Sequence, residues 1–126
     1  MNIHESAEDY LERVLMIRQR KGVVYSIDIV HELNFSKPSV SVAMKRLREN
    51  GYIQMDADGA ITLLPPGEEI AQRIYAWHQL LSEFLMQLEV SPETAAADAC
   101  KIEHDISEES YERIREVMLQ RRREQM

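Results

Sequence analysis

Along this chain of 126 residues apolar positions recur mostly at helical spacing and alternate in only one place. Ala7, Tyr10 or Leu11, Val14 and Ile17 fall three or four apart behind a Ser6-Ala7-Glu8-Asp9 run of capping-box form, and Gly22 stops the pattern. A helix over about 7–21 is predicted. Ser26 can cap a short helix over 27–33 that turns Ile27, Val30 and Leu33 inward, and Asn34-Phe35 breaks it. Ser36 then caps a third helix in which Val40, Ala43, Met44 and Leu47 form the i, i+3, i+4, i+7 stripe. The alternating stretch follows: residues 51–55 and 60–63 read as two short strands around Asp58-Gly59, a hairpin signal. A helix, a helix-turn-helix and a two-stranded wing make a winged helix-turn-helix, a DNA-reading module that also occurs as a protein-binding one.

Beyond Pro65-Pro66-Gly67 the helical period returns, with Ile70, Ile74, Trp77, Leu81, Phe84 and Leu88 at the a and d positions of a heptad. Such a seam wants a partner, and a homodimer through this half is expected. Ser91-Pro92 opens a helix over about 92–105. Ser107 opens a last one, with Tyr111, Ile114, Val117 and Met118 on one face, expected to fray into Arg121-Arg122-Arg123. The predicted fold is mostly α, with a DNA-binding domain over 1–64 and a helical dimerisation domain over 65–126.

Charge sharpens this division. Net charge is -7, which argues against indiscriminate binding to nucleic acid, yet residues 1–64 hold eight Lys/Arg against nine Asp/Glu while 65–126 hold seven against thirteen. Within the third helix Lys37, Lys45, Arg46 and Arg48 face only Glu49, a local basic patch. Its face opposite the apolar stripe presents Pro38, Ser41, Val42 and Lys45, flanked by Ser39, Arg46 and Arg48. Small hydroxyls with cations suit a major groove. The single Cys excludes an internal disulfide framework, and no long apolar run or signal-peptide pattern opens the chain. A soluble cytoplasmic protein with no membrane partner is expected.

Three groups carry candidate chemistry. Cys100, Glu103 and His104 are spaced i, i+3, i+4, so one helical turn presents a thiol, a carboxylate and an imidazole together, as half of a metal site would. The same spacing fits an ordinary amphipathic helix with a buried cysteine. Glu5, Glu8, Asp9 and Glu12 form a carboxylate stripe on the first helix, where acids also complement the helix dipole. His78 flanks the heptad seam beside Ala71, Tyr75, Ser82 and Leu85; His4 and His31 have no partner pattern and read as surface residues. Paired Glu-x-x-His motifs, which a carboxylate-bridged catalytic centre in a helix bundle needs, do not occur, and no nucleophile-base set is visible, so catalysis is not expected.

Taken in order, the Glu8-Asp9-Tyr10-Leu11-Glu12 opening, the Ser36-Lys37-Pro38-Ser39-Val40-Ser41 helix start, the 73–81 segment with His78 and the run from Cys100 to Ser107 resemble the metal-dependent repressors of the diphtheria toxin repressor type, in their short manganese transport regulator branch. The resemblance covers essentially the whole chain. It implies a repressor of metal-ion homeostasis that binds double-stranded operator DNA as a homodimer when loaded with Fe²⁺ or Mn²⁺, Zn²⁺ or Co²⁺ also binding in vitro. Carried over, the metal ligands are Asp9, Glu12, His78, Cys100, Glu103 and His104, and the ion would act as a clasp between the dimer-forming and DNA-reading halves. The DNA contacts are Ser36, Lys37, Pro38, Ser39, Ser41, Val42, Lys45, Arg46 and Arg48.

Two departures from the family matter. Longer relatives carry a further Glu and a further His where this chain has Ser82 and Ala96, so an ancillary metal site is not carried over. Nothing is carried over for their SH3-like third domain either. Cys100 is iron-like where manganese-selective relatives have a carboxylate, whereas Asp9 is manganese-like. One thiolate with imidazole favours Fe²⁺ over Mn²⁺ by ligand softness. The competing reading is a winged-helix regulator that senses a small organic ligand or partner protein without metal.

Overall fold

The computed structural model describes residues 5–125, with side chains from residue 7 onward. The elements are α1 (Glu5–Lys21), α2 (Ser26–Leu33), α3 (Lys37–Glu49), β1 (Ile53–Met55), β2 (Ile61–Leu63), α4 (Pro65–Gln87), α5 (Pro92–Asp105) and α6 (Glu108–Glu124). They form two compact units, which divide within α4 between Arg73 and Ile74.

In the first unit, α1 buries Tyr10, Leu11, Val14, Leu15 and Ile17, a wider face than the predicted stripe. The chain is already helical at Glu5, so Ser6 lies inside α1 and is not its cap. The side chain of Glu5 and the whole of His4 lie outside the described residues. In α2 the inward residue is Ile29, fully buried, whereas Ile27 is 41% exposed, which corrects the sequence expectation. Tyr25, not Ser26, precedes the helix, and its N–H donates to the Asp28 carboxylate at 2.9 Å, half of a capping box, so the helix starts one residue earlier than predicted. Which face turns inward is set by packing against the neighbouring helices, not by spacing within these eight residues. Lys21 holds that carboxyl below its ordinary value.

Asn34 takes a left-handed φ of 56° and ends α2; Ser36 caps α3 by accepting the Ser39 N–H at 3.2 Å. Val40, Met44 and Leu47 are buried, as their spacing predicts. The wing pairs Ile53 with Leu63 and Met55 with Ile61, antiparallel. Gly59, at φ +88°, donates its N–H to the Asp56 carbonyl in the turn. An isolated bridge from Val24 to Ile61 adds a third segment to this small sheet.

The first turns of α4 belong with this unit. Arg18 makes two hydrogen bonds to Glu68, at 3.0 and 2.7 Å, and Arg73 pairs with Glu8 at 3.5 Å. Gly67 is buried where a Cβ would overlap the Tyr52 carbonyl oxygen and touch the Leu11 side chain, so α4 approaches the wing backbone as only glycine permits.

In the second unit Leu80, Tyr111 and Met118 are buried, with Trp77, Phe84, Ile106 and Ile114 packed on them. Trp77 stacks on Tyr111 with centroids 4.3 Å apart and planes 15° from parallel. Two residues of the predicted heptad seam, Trp77 and Phe84, are therefore packed against α6 of the same chain. Leu88 falls beyond the helix and is 54% exposed. α4 stops at Gln87 because Glu89, at φ 71°, closes a Schellman turn with the Val90 N–H on the Leu85 carbonyl, a place where sequence reading looks for glycine. On α6, Val117 is 45% exposed instead of inward. The arginine tail is not frayed either: α6 continues to Glu124, Arg121 donates to the Gln87 side chain at 2.8 Å, and Arg122 pairs with Glu83. Long-range partners that no local pattern encodes extend the helix.

Gly67→Ala should lower the urea midpoint, with a loss of about 1–3 kcal/mol from overpacking against main chain that has little room to retreat. An unchanged midpoint would show that Tyr52 yields freely.

Candidate metal centre and nucleic-acid face

α5 is placed by its cap and its small residues. Ser91 accepts the Thr94 N–H, Pro92 occupies the first turn, and Ala95 and Ala99 are fully buried, so one face packs closely. Glu103 continues that face and is 2% exposed. Its Oε2 lies 3.2 Å from Nδ1 of His78 on α4, and its Oε1 lies 3.4 Å from Nε2 of His104, whose side chain is 2% exposed. Cys100, one turn earlier and half-buried, completes the group. A nitrogen of His78, the sulfur of Cys100 and a carboxylate oxygen of Glu103 all lie within 4.8 Å of one another.

Ligands about 2.0–2.3 Å from one ion lie at most about 4.6 Å from each other, so donors already within 4.8 Å need only small side-chain rotations to take a single first-row divalent metal. The structure thus brings together three of the predicted ligands in the second unit, with His104 beside them. In the first unit, Asp9 and Glu12 stand one turn apart on α1, Asp9 half-buried and Glu12 1% exposed. Burial pushes the intervening Tyr10 phenol upward, and the Asp9 charge adds to the shift. Ser82 has a buried hydroxyl with no hydrogen-bond partner among the described residues. His31 is exposed, as expected.

The other predicted site lies on α3. Ser39, Ser41, Lys45, Arg46 and Arg48 are exposed, and Val42 is 51% exposed, an apolar side chain held in water among cations. Lys37 and Pro38 are exposed on the first turn. Ser36 differs from the rest: its hydroxyl both accepts the Ser39 N–H and hydrogen-bonds the Ser39 hydroxyl at 2.8 Å, so its first role is to fix the helix start. The face continues into a concavity where Ser26 and Met55 join Ser41, Val42, Lys45 and Arg48. Ser26 and Met55 were missed as neighbours of this face; a serine at the start of α2 was visible, but its proximity to α3 is a tertiary fact.

A winged helix-turn-helix unit with a cationic α3, followed by a helical unit that gathers imidazole, thiol and carboxylate donors, defines the class: a DNA-binding regulator with a metal-ligating domain. Residues 2–61 match the family model described as iron dependent repressor, N-terminal DNA binding domain. Residues 65–124 match iron dependent repressor, metal binding and dimerisation domain. The transcriptional regulator MntR of Salmonella typhimurium is 36% identical over 108 residues, which cover 86% of this chain and 69% of that protein. Among solved structures, T. acidophilum IdeR aligns with a TM-score of 0.79 at 27% identity, and the manganese regulator SloR with 0.78 at 25%. Each alignment covers 94% of this chain but 55% and 54% of the other, so the chain spans about half the length of those proteins.

The chain belongs to the iron-dependent repressor family, a family of transcriptional repressors and not of enzymes. Membership favours metal over the small-molecule alternative. No helix among the described residues is long and apolar enough to cross a membrane.

Anaerobic titration with Co²⁺ should produce a thiolate-to-metal charge-transfer band in the near ultraviolet, which Cys100→Ser removes. The same band in that variant would exclude the thiol as a donor.

Proposed function

We infer that this chain is a metal-responsive DNA-binding transcriptional repressor that controls metal-ion homeostasis, reading double-stranded operator DNA in the cytoplasm as a homodimer joined through its C-terminal helices. The observation that carries this reading is the convergence of His78, Cys100 and Glu103 inside the domain that matches the family's metal-binding and dimerisation model. Fe²⁺ is the favoured ion, with Mn²⁺ close behind, because one thiolate and one imidazole among carboxylates suit the softer of the two. Zn²⁺ and Co²⁺ would bind in vitro, as the Irving–Williams order requires.

His78, Cys100 and Glu103 hold the ion, His104 is the fourth candidate in the same unit, and Asp9 and Glu12 are proposed as ligands on the family resemblance. When bound, the divalent cation supplies the positive charge that offsets the repulsion among carboxylates. The chain's own residues do the rest. Glu103 orients the His78 ring through its contact at Nδ1. Asp9 and Glu12, one turn apart on α1, repel each other in their charged forms, and a divalent cation bound there would offset that repulsion. The two recognition helices of a dimer must meet successive major grooves about 34 Å apart, so narrowing the distribution of conformations raises affinity without adding a base contact.

On the DNA, Lys37, Lys45, Arg46 and Arg48 meet phosphates and set the salt dependence. Ser36, Pro38, Ser39 and Ser41 lie at the helix start, where base edges are read, and Val42 suits a thymine methyl. Reversing a two-state equilibrium from 1:99 to 99:1 takes about 5.5 kcal/mol of differential binding, and single effectors commonly supply 1–3. A duplex selected from a random-sequence pool by Mn²⁺-loaded protein should therefore bind the loaded form at least about 5-fold more tightly than the metal-free form at one fixed salt concentration. Equal affinity in the two states would refute the metal response.

A further inference from the structure

Tyr10 lies between the two proposed ligands of α1, Asp9 and Glu12, and is 6% exposed. Its ring meets that of Phe35 edge to face, with centroids 5.8 Å apart and planes at 70°. Phe35 occupies the turn of the helix-turn-helix. Asn34, just before it, is fixed in the left-handed conformation that ends α2, and Ser36, just after it, is the cap that fixes the start of α3. Phe35 is itself 41% exposed, so much of its ring is left in water and burial alone does not account for an aromatic side chain there. Its main aromatic contact is Tyr10.

We propose that Tyr10 and Phe35 are positioning residues that couple the metal-ligand turn of α1 to the orientation of the DNA-reading helix α3. The inference deepens the metal-responsive reading and rests on it. An edge-to-face pair is directional, so a rotation of the α1 turn shifts the preferred position of the Phe35 ring. That ring is borne by a backbone with little freedom, since a left-handed residue and a helix cap flank it on either side. Displacement of Phe35 therefore passes into the first turn of α3, where Ser36, Lys37, Pro38 and Ser39 face the DNA. Neither residue needs to touch metal or DNA. In thermodynamic terms they contribute to the coupling between the two ligands, a contribution that works equally in both directions.

The test compares full-length wild type, Phe35→Leu, Phe35→Tyr and Tyr10→Leu. Mn²⁺ affinity without DNA is measured by calorimetry, and affinity for the selected duplex with and without Mn²⁺ at one low salt concentration. Phe35→Leu should leave Mn²⁺ affinity and the thermal midpoint of the metal-free protein nearly unchanged. The Mn²⁺-dependent gain in DNA affinity should fall by roughly 2- to 10-fold, the span expected for losing one aromatic pair. Phe35→Tyr, which keeps the ring, should retain the gain. Tyr10→Leu should lose it to the same extent as Phe35→Leu, and the two losses should not add in the double variant.

Equal weakening of DNA binding with and without Mn²⁺ would make Phe35 a structural or contact residue and overturn the coupling. So would a full Mn²⁺ gain in Phe35→Leu. If Phe35→Leu lowers the thermal midpoint, Phe35→Met, which fills similar volume without a ring, decides by the same criterion. A wild-type chain whose DNA affinity does not respond to Mn²⁺ would remove the metal reading itself and this inference with it, an outcome distinct from a responsive wild type with equally responsive variants.

Discussion

The second unit depends on keeping one carboxylate out of water. Taking a charged carboxylate into a protein interior costs several kcal/mol even after relaxation, and Glu103 is 2% exposed. Two imidazoles stand against it, His78 at 3.2 Å and His104 at 3.4 Å. A hydrogen bond to a charged group returns about 1.5–3 kcal/mol, so the His78 contact offsets part of that cost and is not a source of stability. This buried acid, beside His78 and Cys100, is the observation on which the proposed metal site rests. The surrounding elements are shaped accordingly: Ala95 and Ala99 let α5 pack closely, and the Trp77–Tyr111 stack holds α4, the helix that carries His78, against α6.

The first unit meets a different constraint, that of approaching a polyanion while the chain carries a net charge of -7. It does so by concentrating cations on the exposed face of α3 while acids of α1 and α2 pair within the unit, Asp28 with Lys21 and Glu8 with Arg73. Such a face gives salt-dependent affinity through phosphates and leaves discrimination to the few small side chains between the cations. Net negative charge elsewhere keeps non-specific attachment weak, which suits a regulator that must leave DNA when its signal is gone.

Much of this was legible in the sequence because it is local. The caps Ser36, Ser91 and Ser107 are each written in a serine before a helical run, and the i, i+3, i+4 spacing of Cys100, Glu103 and His104 placed them on one turn. That His78 would meet Glu103 was implied by family resemblance, not by any spacing, since 25 residues separate them. What stayed hidden was tertiary. Ile29, not Ile27, is the buried residue of α2, a choice made by packing within the unit that the spacing of an eight-residue helix leaves open. The end of α6 stays helical because Gln87 and Glu83 receive its arginines. Val24 joins the wing through one bridge, and Leu88 drops out of the heptad because Glu89 adopts a conformation that sequence statistics assign to glycine.

In the proposed site Cys100 is the residue on which the choice of ion turns, since it is the one sulfur donor among carboxylates and imidazoles. The most direct measurement is anaerobic binding of the selected duplex with Fe²⁺, Mn²⁺ and Zn²⁺ in parallel, for wild type and Cys100→Glu. Tighter DNA binding with Fe²⁺ than with Mn²⁺ in wild type, moving toward Mn²⁺ in the variant, is the predicted result. An order of metals that the substitution leaves unchanged would contradict it.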